Sequence, residues 1–142
     1  NKNLLHNGVI DKHTPLLDWS CTMSKMKTVG KWIPTILLAL PMIGAGSAKL
    51  MGVPALHESF HAMGLPEWFG YFIGAAELAG GIGLLLPKLS AWAATGLVPI
   101  MLGAVYFHIA YAVPSAIPAL VFIAFSVYTI IARKSQAIGY PF

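Results

Sequence analysis

The stretch WFGYFIGAAELAGGIGLLL, residues 68–86, decides the fold. It carries one charged residue, Glu77, and Pro87 closes it. At 1.5 Å per residue a helix of this length crosses a ~30 Å hydrocarbon core. A membrane β-strand would alternate apolar and polar residues over ~10 positions. This run is apolar on every side. A backbone in lipid must satisfy its own hydrogen bonds, so the run reads as a helix.

Three further runs share this character: residues 32–51, 89–113 and 115–132. Composition agrees with four spans. Only 14 of 142 residues are charged, 10% of the chain, where soluble domains carry about 25%. The hydrophobic class is 57% and the mean hydropathy is +0.72. The charges are also segregated. Residues 1–31 hold seven, residues 133–142 hold two, and the rest of the chain holds Lys49, Glu58, Glu67, Glu77 and Lys88. The expected fold class is all-α: an integral membrane four-helix bundle whose solvent partner is the lipid bilayer. A single cysteine, Cys21, excludes a disulfide framework and a Cys-rich metal site. The net charge of +4 comes from basic residues that flank apolar runs, so no nucleic-acid partner is expected.

Three regions follow. Residues 1–31 are polar and show no helical or strand period. Within them Met23 opens MSKMKTVGKW, which reads as a natural start and makes residues 1–22 an upstream extension. Residues 32–134 form the four-span domain, and residues 135–142 a tail. A cleaved signal at Gly46 and Ala48 would leave three helices behind a long polar leader, so the first run reads as a retained span. Pro34 falls in the first turn of that run, where a missing N–H is harmless. Pro41 and Pro99 are interior and should kink their helices. Pro114 and Pro118 bracket the turn into the last span.

Orientation follows from Lys and Arg placement. One side holds Lys2, Lys12, Lys25, Lys27, Lys31, Lys88, Arg133 and Lys134; the other holds Lys49 alone. Both termini are expected to be cytoplasmic, with residues 52–67 outside.

Glu77 is the most informative residue. A charge at this depth costs at least ~2.5–3.5 kcal/mol on insertion scales, so it needs a partner, water or a proton. Gly70, Gly74, Glu77 and Gly81 are spaced 4, 3 and 4, which puts them on one helix face. Small residues there let another helix approach closely, so Glu77 faces the bundle interior. Lys49, near the outer end of span one, and His108, near the outer end of span three, are its candidate partners. Tyr111 shares the His108 face; Tyr106 lies opposite. A carboxylate, an imidazole and a lysine in one cluster make either a proton relay or a polar anchor for a quinone-like headgroup. The competing reading is a buried ion pair that fixes helix register.

The outer loop carries His57-Glu58-Ser59-Phe60-His61, the pattern H-E-x-x-H of zinc peptidases. Pro54 and Gly64 leave room for only two or three helical turns, and no third ligand follows at a suitable spacing. The favoured reading is an amphipathic interfacial helix, with Leu56, Phe60 and Met63 toward lipid and the His and Glu side chains toward water. Trp32 and Trp92 at one boundary and Trp68 at the other read as interfacial belt residues.

The chain resembles the DoxX-like family of small four-helix bacterial membrane proteins. The resemblance rests on Gly46-Ser-Ala-Lys49-Leu50, on Gly64-Leu65-Pro66, on the Glu segment from Gly74 to Pro87, and on Gly103-Ala-Val-Tyr-Phe-His108. It covers roughly residues 32–132 and omits His57, His61 and the first 22 residues. It implies a multi-pass protein of the bacterial plasma membrane associated with quinone-linked redox systems. The expected role is an accessory or quinone-proximal subunit that is not an enzyme on its own and holds no cofactor tightly. Lys49, Glu77 and His108 would bind or protonate the ligand. The alternative is an assembly module in which the Gly70/Gly74/Gly81 face packs on a protein partner or a second copy. A small permeation pathway and zinc-dependent activity are the remaining readings.

Overall fold

The computed structural model describes residues 15–111 and 115–141. Lys2, Lys12, most of the upstream extension, the end of the third run at Val113, and Pro114 lie outside the described residues. The chain divides into two units, Asn1–Gly30 and Lys31–Phe142, and the site belongs to the second.

The described residues form helices α1 (Pro15–Leu50), α2 (Pro54–Ala62), α3 (Glu67–Leu85), α4 (Ser90–Ala110) and α5 (Ile117–Arg133), followed by a single 3-10 turn at Lys134–Gln136. No strand occurs among them. Four helices are long and apolar enough to cross a membrane: Thr28–Leu50, Glu67–Leu85, Ser90–Ala110 and Ile117–Gln136. The first helix begins well before Trp32, so Pro34 is interior to it and not in its first turn. A helix leaving the apolar phase needs no apolar stripe, which is why the polar segment showed no period.

Local chemistry sets the helix ends. Gly52 adopts φ +73° and Gly64 φ +71°, the left-handed conformation that only glycine takes cheaply. Each closes a Schellman motif. Val53 N donates to Ala48 O at 3.2 Å and Gly52 N to Lys49 O at 3.0 Å; Leu65 N donates to Phe60 O at 3.0 Å and Gly64 N to His61 O at 2.9 Å. Proline opens α2 and lies in the first turn of α5, where its fixed φ is pre-set for a helix.

Short connections make successive long helices antiparallel. One end of the bundle, here the Lys49 end, gathers the end of α1, α2 and the start of α3. The other, the Arg133 end, gathers the α3–α4 turn and the end of α5. A core of Leu38, Ala39, Met42, Leu84, Ala94, Leu97 and Met101 joins α1, α3 and α4, and Phe122, Ile123 and Phe125 of α5 pack on it. The outward faces stay apolar: Ile82, Leu102, Ile109, Leu120 and Ile131 are all exposed. A water-soluble monomer rarely shows such a surface, and lipid solvates it without cost.

Two of the expected belt tryptophans do something more specific. Trp32 lies beneath the Arg133 guanidinium, 4.3 Å from carbon to ring centroid. Trp92 Nε1 donates to Ile138 O at 3.0 Å, and its ring meets Tyr140 at 5.1 Å. With Ile138 N on Lys88 O at 3.2 Å, the tail is tied back along the first turns of α4.

Candidate functional site

The site is built on the crossing of α1 and α3. A Cβ on Gly46 would lie 2.6 Å from both Gly74 O and Leu78 N, so the two backbones touch there. A Cβ on Gly74 would meet Lys49 Cβ at 2.8 Å, and one on Gly81 would meet Ile43 Cγ1 at 2.6 Å. The Gly70/Gly74/Gly81 face is thus filled by the chain itself: α1 covers Gly74 and Gly81, and the His57 ring of α2 fits against Gly70. In the alternative reading this face packs on a protein partner or a second copy; among the described residues it is covered from within the chain.

At the crossing, Lys49 Nζ donates to Glu77 Oε2 at 2.6 Å. The side chains are 12% and 5% exposed. The glycines permit this: helices held further apart would leave the carboxylate unpaired or open to solvent. A charge-assisted hydrogen bond of this length in a low-dielectric site is strong. It also offsets the desolvation that makes an isolated carboxylate so costly.

Helix α2 completes the site. His57 is buried and lies 2.9 Å from Lys49 O through Nε2. A carbonyl oxygen only accepts, so the proton of this bond sits on Nε2. The His57 ring also packs on Tyr71, with centroids 4.6 Å apart. Lys49 is therefore held twice, by Glu77 at its ammonium and by His57 at its backbone carbonyl.

This arrangement corrects the reading of the H-E-x-x-H segment. His57 points inward, not toward water, while Glu58 and His61 are exposed. Leu56, Phe60 and Met63 are half-buried; Phe60 stands edge-on to Phe69, with centroids 5.8 Å apart. Among the described residues no group of three His, Cys, Asp or Glu side chains could hold a metal. A nine-residue helix takes its sidedness from whatever it packs on, and the gap at Gly70 admits the imidazole.

His108 stays apart. No hydrogen bond or ion pair joins it to Lys49 or Glu77, and its Nδ1 is buried without a partner. Its ring meets Phe107 at 6.1 Å, and Tyr111 stacks on that same Phe107 at 5.1 Å. Tyr106 and Tyr111 are exposed. His57 is the site residue whose place sequence reasoning missed. A usable signal was the pairing of an inward-size gap at Gly70 with a histidine one short helix away.

Chemically the site offers one ammonium paired with one carboxylate, while the imidazole of α2 is engaged at the Lys49 backbone carbonyl. Such a set can hold a polar headgroup or exchange a proton with it.

A family model described as the DoxX-like family matches residues 33–132. The chain belongs to that family. No curated protein and no solved structure matches it.

Proposed function

We propose that this DoxX-like multi-pass membrane protein is an accessory, quinone-proximal subunit of a membrane redox system. The observation that carries the reading is the buried Lys49–Glu77 pair beneath α2. The ammonium can donate to a headgroup carbonyl oxygen, and the carboxylate can accept from a headgroup hydroxyl. In this reading electrons are supplied elsewhere in the complex. His108 and Tyr111, at the same end of the bundle on α4, are the further candidates for contact with the headgroup.

Charge placement supports an orientation. Among the described residues from Lys31 onward, Lys31, Lys88, Arg133 and Lys134 belong to the Arg133 end and Lys49 to the other. The positive-inside rule then puts both termini in the cytoplasm of a bacterial plasma membrane, with the ion pair toward the outer face.

The test is binding of a short-chain benzoquinone to purified protein. Glu77→Gln is expected to weaken it about tenfold, the loss of one charge-assisted hydrogen bond. Unchanged binding in a folded Glu77→Gln variant overturns the reading.

A second reading, an assembly module, is favoured by a different surface. A groove of about 330 Å³ between α3 and α4 is lined by Ala76, Ala79, Gly80, Gly83, Ala93 and Gly96, with Trp92 and Ile100 beside them. Small residues of this kind admit a partner helix. A Cβ on Gly96 meets nothing within 4 Å, so Gly96→Leu is expected to occupy the groove with the fold retained. Loss of a co-purifying protein in that variant supports this reading, and retention of the same complex refutes it.

A further inference from the structure

The Arg133 end of the bundle contains polar groups that the ion-pair site does not use. Arg133, the last residue of α5, is 2% exposed. One face of its guanidinium lies on Trp32. Its Nε and Nη2 are buried and have no hydrogen-bond partner among the described residues. These two N–H groups form one edge of the guanidinium, the edge whose parallel donors match two oxygens of a phosphate or carboxylate.

Two hydroxyls at the same end are in the same condition. Thr129 stands one turn before Arg133 on the same helix face, and Ser90 opens α4. Both residues are fully buried, and neither hydroxyl has a partner. Buried polar atoms are nearly always paired, so unpaired donors and hydroxyls gathered at one helix end mark a missing acceptor.

Charge says what kind. Lys88 and Lys134 are exposed at this end. The carboxylates with described side chains are elsewhere: Glu58 and Glu67 lie at the Lys49 end, and Glu77 is committed to Lys49. An arginine stays protonated in any protein environment, and a buried cation without a counterion is strongly disfavoured. Arg133 also sits just inside the end of a candidate span, Ile117–Gln136. The ends of a membrane span border the headgroup region, where lipid phosphates lie.

We propose that this end of the bundle binds the phosphodiester of an anionic phospholipid. The Nε–Nη2 edge of Arg133 takes two phosphate oxygens, the hydroxyls of Thr129 and Ser90 donate to the ester or glycerol oxygens, and Lys88 and Lys134 draw the headgroup in. Basic pockets between membrane helices recognise anionic headgroups by this chemistry. Trp32 holds the guanidinium plane so that its free edge is presented in one orientation.

The test titrates the detergent-solubilised full chain with dioctanoyl phosphatidylglycerol, dioctanoyl phosphatidylcholine and inorganic phosphate, read by native mass spectrometry. Phosphatidylglycerol is expected to bind and the other two to bind at least about tenfold more weakly. Arg133→Gln is expected to abolish that preference, and Arg133→Lys to keep part of it, since the charge remains and the fork is lost. Thr129→Val, a near-isosteric change, is expected to weaken phosphatidylglycerol several-fold and carries the test if Arg133→Gln does not fold. Equal binding of the two lipids overturns the proposal. So does phosphatidylglycerol binding that both Arg133→Gln and Thr129→Val leave unchanged. Inorganic phosphate binding as tightly as the lipid overturns the lipid as the source of the anion.

Discussion

Lys49 Nζ and Glu77 Oε2 are 2.6 Å apart where α1 crosses α3, and little of either side chain reaches solvent. The pair spans 28 positions in sequence and pins the first long helix to the second. It is at once the best candidate for chemistry and a fixed point of the fold, and those two roles separate by experiment.

Removing one partner leaves the other charge buried. Lys49→Met or Glu77→Met is expected to cost about 3–5 kcal/mol, seen as a lower unfolding temperature in detergent. The double variant Lys49→Met/Glu77→Met is expected to recover most of that loss, because two apolar side chains of similar length repack the gap. A double variant that is stable yet binds no quinone assigns the pair to function. A double variant as unstable as the singles would show that the pair is needed for folding itself.

The α1–α3 contact supplies a matched glycine pair. Gly46→Ala drives a methyl group into the Gly74 and Leu78 backbone and is expected to cost about 1–3 kcal/mol or more, as overpacking does. Gly44 lies on the exposed side of the same helix, and a Cβ there meets nothing within 4 Å. Gly44→Ala is expected to stabilise by about 0.5–1 kcal/mol, the ordinary gain of alanine in a helix. Thermal unfolding of the two variants in one detergent checks the contrast; equal effects would mean that the helices do not touch at Gly46.

Metal analysis of purified protein is expected to find no stoichiometric zinc, because His57 Nε2 is engaged by Lys49 O and turned away from Glu58 and His61. His61→Ala is expected to change stability by less than about 0.5 kcal/mol, as exposed substitutions do. His57→Ala loses a hydrogen bond and buried ring contacts and is expected to cost about 1–3 kcal/mol. It should also speed protease cleavage near α2.

The four apolar helices were legible because lipid imposes a simple requirement, length and hydropathy, that a single sequence displays. The inward direction of Glu77 was legible for a similar reason: Gly70, Gly74 and Gly81 repeat at helical spacing around it. Three features were not. The early start of α1 at Pro15 lies in a polar segment, where no apolar stripe records a helix. The inward turn of His57 depends on Gly70, a residue of another helix, and the H-E-x-x-H spacing carries no trace of it. Arg133 looked like an ordinary flanking charge. One face of its guanidinium is covered by Trp32, about a hundred positions away, and only the folded bundle brings the two together.

The double hold on Lys49 has a consequence for sensing. One residue's backbone is bonded to α2 and its side chain to α3, so Lys49 joins that helix to the carboxylate. Linkage between such sites is reciprocal. A ligand that occupies the carboxylate and releases Lys49 is then expected to loosen α2, and displacement of α2 to weaken that ligand's binding in equal measure. The short helix α2 is in this sense a readout, through which an event among the buried groups would become visible at the surface.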